Sequence, residues 1–220
     1  MKSLLWKLTV MLTAGAVCIC TCGCTLDAKQ VKATDLMENV KAEEVSVSRS
    51  AGEESQVMSE FAIRLFQACD AGGNKEENTL VSPLSVLFAL SMAANGAQGE
   101  TLNQMEDVLG GTTANLNEFA RAYLNELSGR PEDVGTLELA NSIWFKDASD
   151  FRVNQDFLQL NADYYNADIY SAAFDNSTLQ DINRWVKNKT QGMIPTILDD
   201  IPEDAVMYLI NALAFDAEWE

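Results

Sequence analysis

Residues 206–215 read VMYLINALAF, and this run decides the class of fold. Its apolar residues occupy both parities, so an extended strand here is predicted to be covered on both faces. Asn211 breaks the run in its middle and is read as a buried amide that requires hydrogen-bond partners. A second strand is read from Thr136 to Lys146, where Leu137, Leu139, Ile143 and Phe145 alternate with Glu138, Ala140, Ser142 and Trp144. A third, short strand is expected around Ile169–Phe174. What covers the sheet is read further upstream. Ser82-Pro83 supplies an N-cap followed by a proline at the first helical position. From Leu84 to Ala94 the helix is apolar nearly all round, which predicts burial on every side.

Other helices surround these. Phe61, Leu65 and Cys69 fall on one helical face closed by Gly72-Gly73. Thr101 and Gln104 have the spacing of a capping box, and Gly110-Gly111 stops the helix that follows. Leu116, Phe119, Tyr123 and Leu127 mark a further helix, and residues 157–165 another. Leu179, Ile182, Trp185 and Val186 form the narrow apolar stripe of a helix lying on the surface of a sheet, ended by Gly192 and Pro195. Helices gather early and strands late, the pattern of an α+β domain. Trp144 and Trp185 are read as core. A central strand such as 206–215 needs neighbours on both edges, and the sequence offers few candidates, so the chain is expected to be an incomplete domain.

Charge and composition narrow the function. The 220 residues include 33 acidic and 15 basic side chains, no histidine, and a formal net charge of −18. A duplex demands a basic face, so nucleic acid is not expected as a partner. Without histidine the chain cannot build a Ser-His-Asp or Cys-His nucleophile pair or an imidazole zinc site. No catalytic residue, metal or cofactor is assigned.

The N-terminal region is read in two parts. Residues 1–24 resemble a secretory signal, with Lys2 first and an apolar stretch from Leu8 to Ala16 that is short for a membrane span. Cys18, Cys20, Cys22 and Cys24 then alternate. Such a run has the ligand type for a thiolate metal site, but no second ligand cluster accompanies it. The alternative is a lipobox-like ending, with the small Gly23 before Cys24 as the lipidated residue, although Thr21 stands where leucine is usual. An ordinary cleaved signal or an uncleaved anchor is the third reading. If Cys24 begins the mature chain, Cys69 is its remaining thiol. Residues 25–55 carry seven acidic and four basic side chains and no aromatic or proline, and are read as a solvated polar tether. The globular domain is expected over 56–220.

Several segments, in order, resemble the serpin family. Asn78-Thr79-Leu80-Val81-Ser82-Pro83-Leu84-Ser85-Val86 is similar to the entry into the family's buried helix B. Gly96 to Thr101, with Gln104-Met105, resembles the turn and helix that follow. Leu139-Ala140-Asn141-Ser142-Ile143-Trp144-Phe145 is similar to the second strand of the family's large sheet A. Ile182 to Val186, with Thr190 to Ile194, resembles helix F, which lies across that sheet. Leu209 to Phe215, through Trp219, resembles the third strand.

The resemblance implies a serpin fold of which this chain holds helices A–F and strands 1–3 of sheet A. The reactive loop and the C-terminal strands lie beyond it. It also implies a suicide inhibitor of serine, sometimes cysteine, endopeptidases. The protease cleaves an exposed loop, is acylated, and is trapped as the loop inserts into sheet A. The reactive bond is not in the chain, and these residues alone are expected to be inactive. The family's shutter maps onto Ser82, Ser85 and Asn211, and its breach onto Trp219. The expected partner is a target protease, and contact with a membrane is expected only through a lipid on Cys24, on the extracellular side of a bacterial membrane. The alternative is a non-inhibitory binding or structural lipoprotein of the same fold.

Overall fold

The computed structural model describes residues 32–47, 55–73, 78–128, 136–149 and 151–217. Cys24 and Trp219 lie outside these residues. The elements are β1 (Thr34–Asp35), α1 (Ser55–Gly72), α2 (Pro83–Ala94), α3 (Gly99–Leu109), α4 (Thr113–Ser128), β2 (Thr136–Lys146), α5 (Gln155–Tyr165), β3 (Asp168–Ala172), α6 (Asn176–Lys189) and β4 (Met207–Asp216). The described strands form one sheet in the order β1-β3-β2-β4. β2 and β3 are parallel, and the helix α5 supplies the crossover that such a pair needs. The β2/β4 pair is antiparallel, running from Thr136↔Asp216 to Phe145↔Met207.

The two faces of this sheet are covered by different helices. The odd-numbered side chains of β2, Ile143 and Phe145, join Ile169, Leu87, Phe88, Met92, Phe119, Leu158 and Tyr165 in the main core. Phe88 sits at the centre of that layer. Its ring meets Phe119, Tyr123 and Tyr165 edge-on at centroid distances of 6.3, 6.1 and 5.8 Å, the favoured geometry for aromatic quadrupoles. Every residue of α2 is buried or half-buried, in agreement with its all-round apolar sequence. On the even face, Trp144 is buried, stacks on Tyr170 at 4.3 Å, and donates from Nε1 to Ser142 Oγ. The helix α6 lies near this face. Its Ile182, Trp185 and Val186 are buried, and Trp185 Nε1 donates to Asp168 Oδ2 at 2.8 Å. Asp175 caps α6 by accepting from Ser177 and Thr178 amides. The Ser177 side-chain hydrogen bond, with those amides, holds its carboxyl below the ordinary range.

Four expectations need correction. Thr101 does not cap a helix: α3 starts earlier, at Gly99, where φ is +58°, and Gln104 reaches Glu100 instead of an N-cap. Gly110, at φ +85°, does end that helix in the left-handed conformation glycine favours. Cys69 is exposed although it shares a helical face with the buried Phe61, because α1 meets the core through Met58, Phe61 and Leu65, and Cys69 lies one turn beyond them. β4 is not covered uniformly. Ile210, Ala212 and Ala214 are buried on one face, while Met207 and Phe215 on the other are exposed at 40% and 63%.

The last correction concerns the N-terminal segment. Residues 32–47 are not a solvated tether but pack on the domain. Thr34 and Asp35 pair with Ser171 and Tyr170 of the edge strand β3, and the Leu36 amide donates to the Ile169 carbonyl. The Lys32 and Ala33 amides donate to Asp181 Oδ2, and the Glu43 amide donates to Asp163 Oδ1. Leu36, Met37, Val40 and Val47 lie against the core. Low average hydrophobicity hid this arrangement, because an edge strand is held by backbone hydrogen bonds and needs few apolar side chains. Residues 48–54 fall outside the described residues.

Candidate functional site

The candidate site is the middle of the β2/β4 ladder, where Asn141 faces Asn211. Both belong to the odd-numbered face, which looks toward α2. Two amides at such a place need mutual partners, since an unpaired buried polar group costs about 1–3 kcal/mol. Asn211 Nδ2 donates to Asn141 Oδ1 at 2.7 Å. Asn141 Nδ2 donates in turn to the carbonyl of Tyr165, the last residue of α5, at 2.8 Å. Asn211 Oδ1 is buried and has no partner among the described residues.

Ser82 and Ser85 lie at the start of α2, the helix that packs against β4. Ser82 caps it, its Oγ accepting from the Ser85 amide at 3.4 Å and lying 2.9 Å from Ser85 Oγ. The two hydroxyls thus bond one another, and the Asn211 amide is held by Asn141. Ser82 is exposed and Ser85 half-buried among the described residues. The partner role of Asn141 was not recognised from the sequence. Its signal was its register: a polar residue on the apolar face of β2, in the run Leu139, Asn141, Ile143, Phe145.

The polar pair continues into the helical layer. Tyr165 is fully buried, and its hydroxyl donates to Asn117 Oδ1 at 2.7 Å. Asn117, in α4, exchanges hydrogen bonds with Asn95 at the end of α2: Asn117 Nδ2 to Asn95 Oδ1 at 2.9 Å and the return bond at 3.2 Å. Burial pushes the Tyr165 phenol far above its ordinary pKa, with the Ser91 hydroxyl opposing. It is therefore a neutral donor under all ordinary conditions. None of these groups is a nucleophile beside a base. The arrangement fixes strands and helices against one another.

An α+β architecture with one helix buried behind a mixed sheet, and another near the opposite face, defines the class. Residues 56–220 match the family model described as Serpin (serine protease inhibitor), and the chain belongs to that family. Human neuroserpin is 28% identical over 182 residues, covering 80% of this chain and 43% of the relative. Bovine alpha-2-antiplasmin is 32% identical over 166 residues, covering 75% of this chain and 32% of the relative. The native-state crystal structure of tengpin, a thermophilic serpin, superposes with a TM-score of 0.78 at 48% identity, covering 86% of this chain and 48% of that one. The chain thus spans less than half the length of these relatives. The family is one of protease inhibitors, not catalysts.

Proposed function

We propose that the full-length protein is a suicide-type inhibitor of serine endopeptidases, exported by a signal within residues 1–24 and lipid-anchored through Cys24 on the outside of a bacterial cell. In this reading the protease cleaves a loop that follows residue 220, and that loop enters the sheet beside β4. Ser82, Ser85 and Asn211 form the shutter at the middle of the opening, and Trp219 lies at the breach where entry begins. The fold supplies the driving force: a strand inserted beside β4 gains a ladder of backbone hydrogen bonds and covers apolar edge surface.

The Asn141–Asn211 pair carries this reading. An amide pair at the centre of a long ladder fixes register, which suits a sheet that must close in one arrangement and reopen in another. Asn211 Oδ1, buried and unpartnered among the described residues, is available to a donor from a neighbouring strand.

The test incubates the full-length protein with trypsin-like and chymotrypsin-like proteases. The expected product is a complex that survives denaturing electrophoresis, with loss of protease activity at near-equimolar ratio. Cleavage of the protein without complex formation would refute inhibition and favour a non-inhibitory binding role. Mass spectrometry of membrane fractions is expected to find a diacylglyceryl group on an N-terminal Cys24, and a mature chain starting elsewhere would refute the anchor.

A further inference from the structure

The hydrogen bonds that leave Asn211 do not stop at the sheet. They pass through Asn141 and Tyr165 to Asn117 and Asn95, and so link β4, β2, α5, α4 and the end of α2. Asn141, Tyr165 and Asn117 are buried. Apolar side chains would fill this space without the desolvation penalty that each amide carries. The gain from polar groups here is therefore a single arrangement of the layers.

One link of this relay joins α5 to α4. α5 is joined to β3 by Asn166 and Ala167 alone, and both amides are bound back to α5 carbonyls. β3 is laddered to β2, and β2 to β4. Asn141 further ties β2 to the Tyr165 carbonyl. A shift of β2 and β4 therefore carries α5 along. The boundary with the helical layer then falls between Tyr165 on α5 and Asn117 on α4. Apolar packing crosses the boundary broadly, with Ile143 and Phe145 of β2 in one core with Leu87, Phe88 and Phe119. Two of the contacts involve Tyr165 itself. The edge-on packing of Phe88 and Tyr165, at 5.8 Å, tolerates a small slide. The 2.7 Å hydrogen bond from Tyr165 to Asn117 does not, because it weakens steeply with distance and angle. Arg121 also bonds Asn166 across the same boundary, but at an exposed position where water replaces it.

We propose that the Tyr165–Asn117 hydrogen bond is a latch that holds the closed sheet on the helical layer and breaks when β2 and β4 shift to admit a strand. Tyr165, Asn117 and Asn95 are then positioning residues. They set the rate of strand insertion without touching the protease. This inference rests on the insertion reading above.

The experiment uses the full-length protein and the variants Tyr165→Phe, Asn117→Leu and their combination. Tyr165→Phe keeps the ring against Phe88 and removes only the hydroxyl. Leu158→Ala, a buried apolar residue of the same helix outside the relay, controls for lost stability. Each protein is held at elevated temperature below its melting point. Residual inhibition of the protease that forms the stable complex in the preceding test is followed together with the appearance of a form that resists urea, the mark of self-insertion. Tyr165→Phe is expected to convert roughly three- to tenfold faster, the range set by one neutral hydrogen bond. The double variant should be no faster than the faster single one, as expected for two ends of one interaction. Leu158→Ala should lower the melting temperature at least as much without that acceleration. Equal rates for wild type and Tyr165→Phe, or equal acceleration by Leu158→Ala, would overturn the latch alone. A wild-type protein that neither inhibits nor converts would overturn the inhibitory reading and the latch with it.

Discussion

Asn211→Asp in the full-length protein tests the centre of the sheet most directly. Asn211 Nδ2 donates to Asn141 Oδ1 at 2.7 Å. The substitution replaces that donor with an oxygen, so two acceptors would face each other at hydrogen-bond distance. An unsatisfied buried acceptor costs about 1–3 kcal/mol. The new carboxylate also loses solvent, which raises its folded pKa above the unfolded value of about 3.9. A rise of two to three units corresponds to roughly 3–4 kcal/mol, at about 1.4 kcal/mol per unit. The sign follows from proton linkage. The folded state holds its proton more tightly, so the penalty vanishes below the unfolded pKa and grows as pH rises toward the folded one. Once protonated, the introduced carboxyl regains a donor for Asn141. At neutral pH the melting temperature should therefore fall by on the order of 5–10 °C relative to wild type. The deficit should shrink as the pH is lowered toward about 4. Asn115→Asp, an exposed position in the first turn of α4, adds the same charge and should leave stability unchanged, since acids are favoured there. Scanning calorimetry across pH would measure all three proteins. A deficit independent of pH, or one shared by Asn115→Asp, would refute the buried-pair reasoning.

Other parts of the structure give further expectations. Asp181→Ala removes the acceptor of the Lys32 and Ala33 amides and of Arg184; trypsin should then cut at Lys32 or Lys41 much faster than in wild type, and unchanged cleavage would show that the segment is held otherwise. Phe88→Ala empties the centre of the aromatic cluster and should cost about 3–5 kcal/mol in denaturant titration. Gly96→Ala would place a Cβ 3.1 Å from the Phe157 ring, so a measurable loss of melting temperature is expected, and a gain would mean that the ring yields freely. Residues 25–220 expressed alone should associate instead of unfolding as a two-state monomer. Met207 and Phe215 of β4, and Val206 just before it, lie exposed, which favours association along that edge, and sedimentation would report the size.

Much of the architecture was legible because it is written in local periodicity. The alternation at 136–146 marked β2, and the run at 206–215 marked β4 to within a residue. Ser82-Pro83 marked the start of α2, and Gly110 the end of α3. Composition excluded imidazole chemistry within the chain. These features depend on a residue and its near neighbours, which the sequence states outright. Long-range pairing is different. Asn211 demanded a partner, but nothing local to it pointed to Asn141, which lies 70 positions away and meets it only through strand register. The link from Asn141 to Tyr165 and Asn117 depends likewise on how α5 and α4 stack. Residues 32–47 follow the same rule. Their polar composition describes a solvated segment, and only the unpaired edge of β3, together with the carboxylates of Asp163 and Asp181, turns that backbone into part of the fold. Periodicity records which face of an element is buried. What that face meets is decided by tertiary packing, where directional hydrogen bonds select one partner among several that are chemically equivalent.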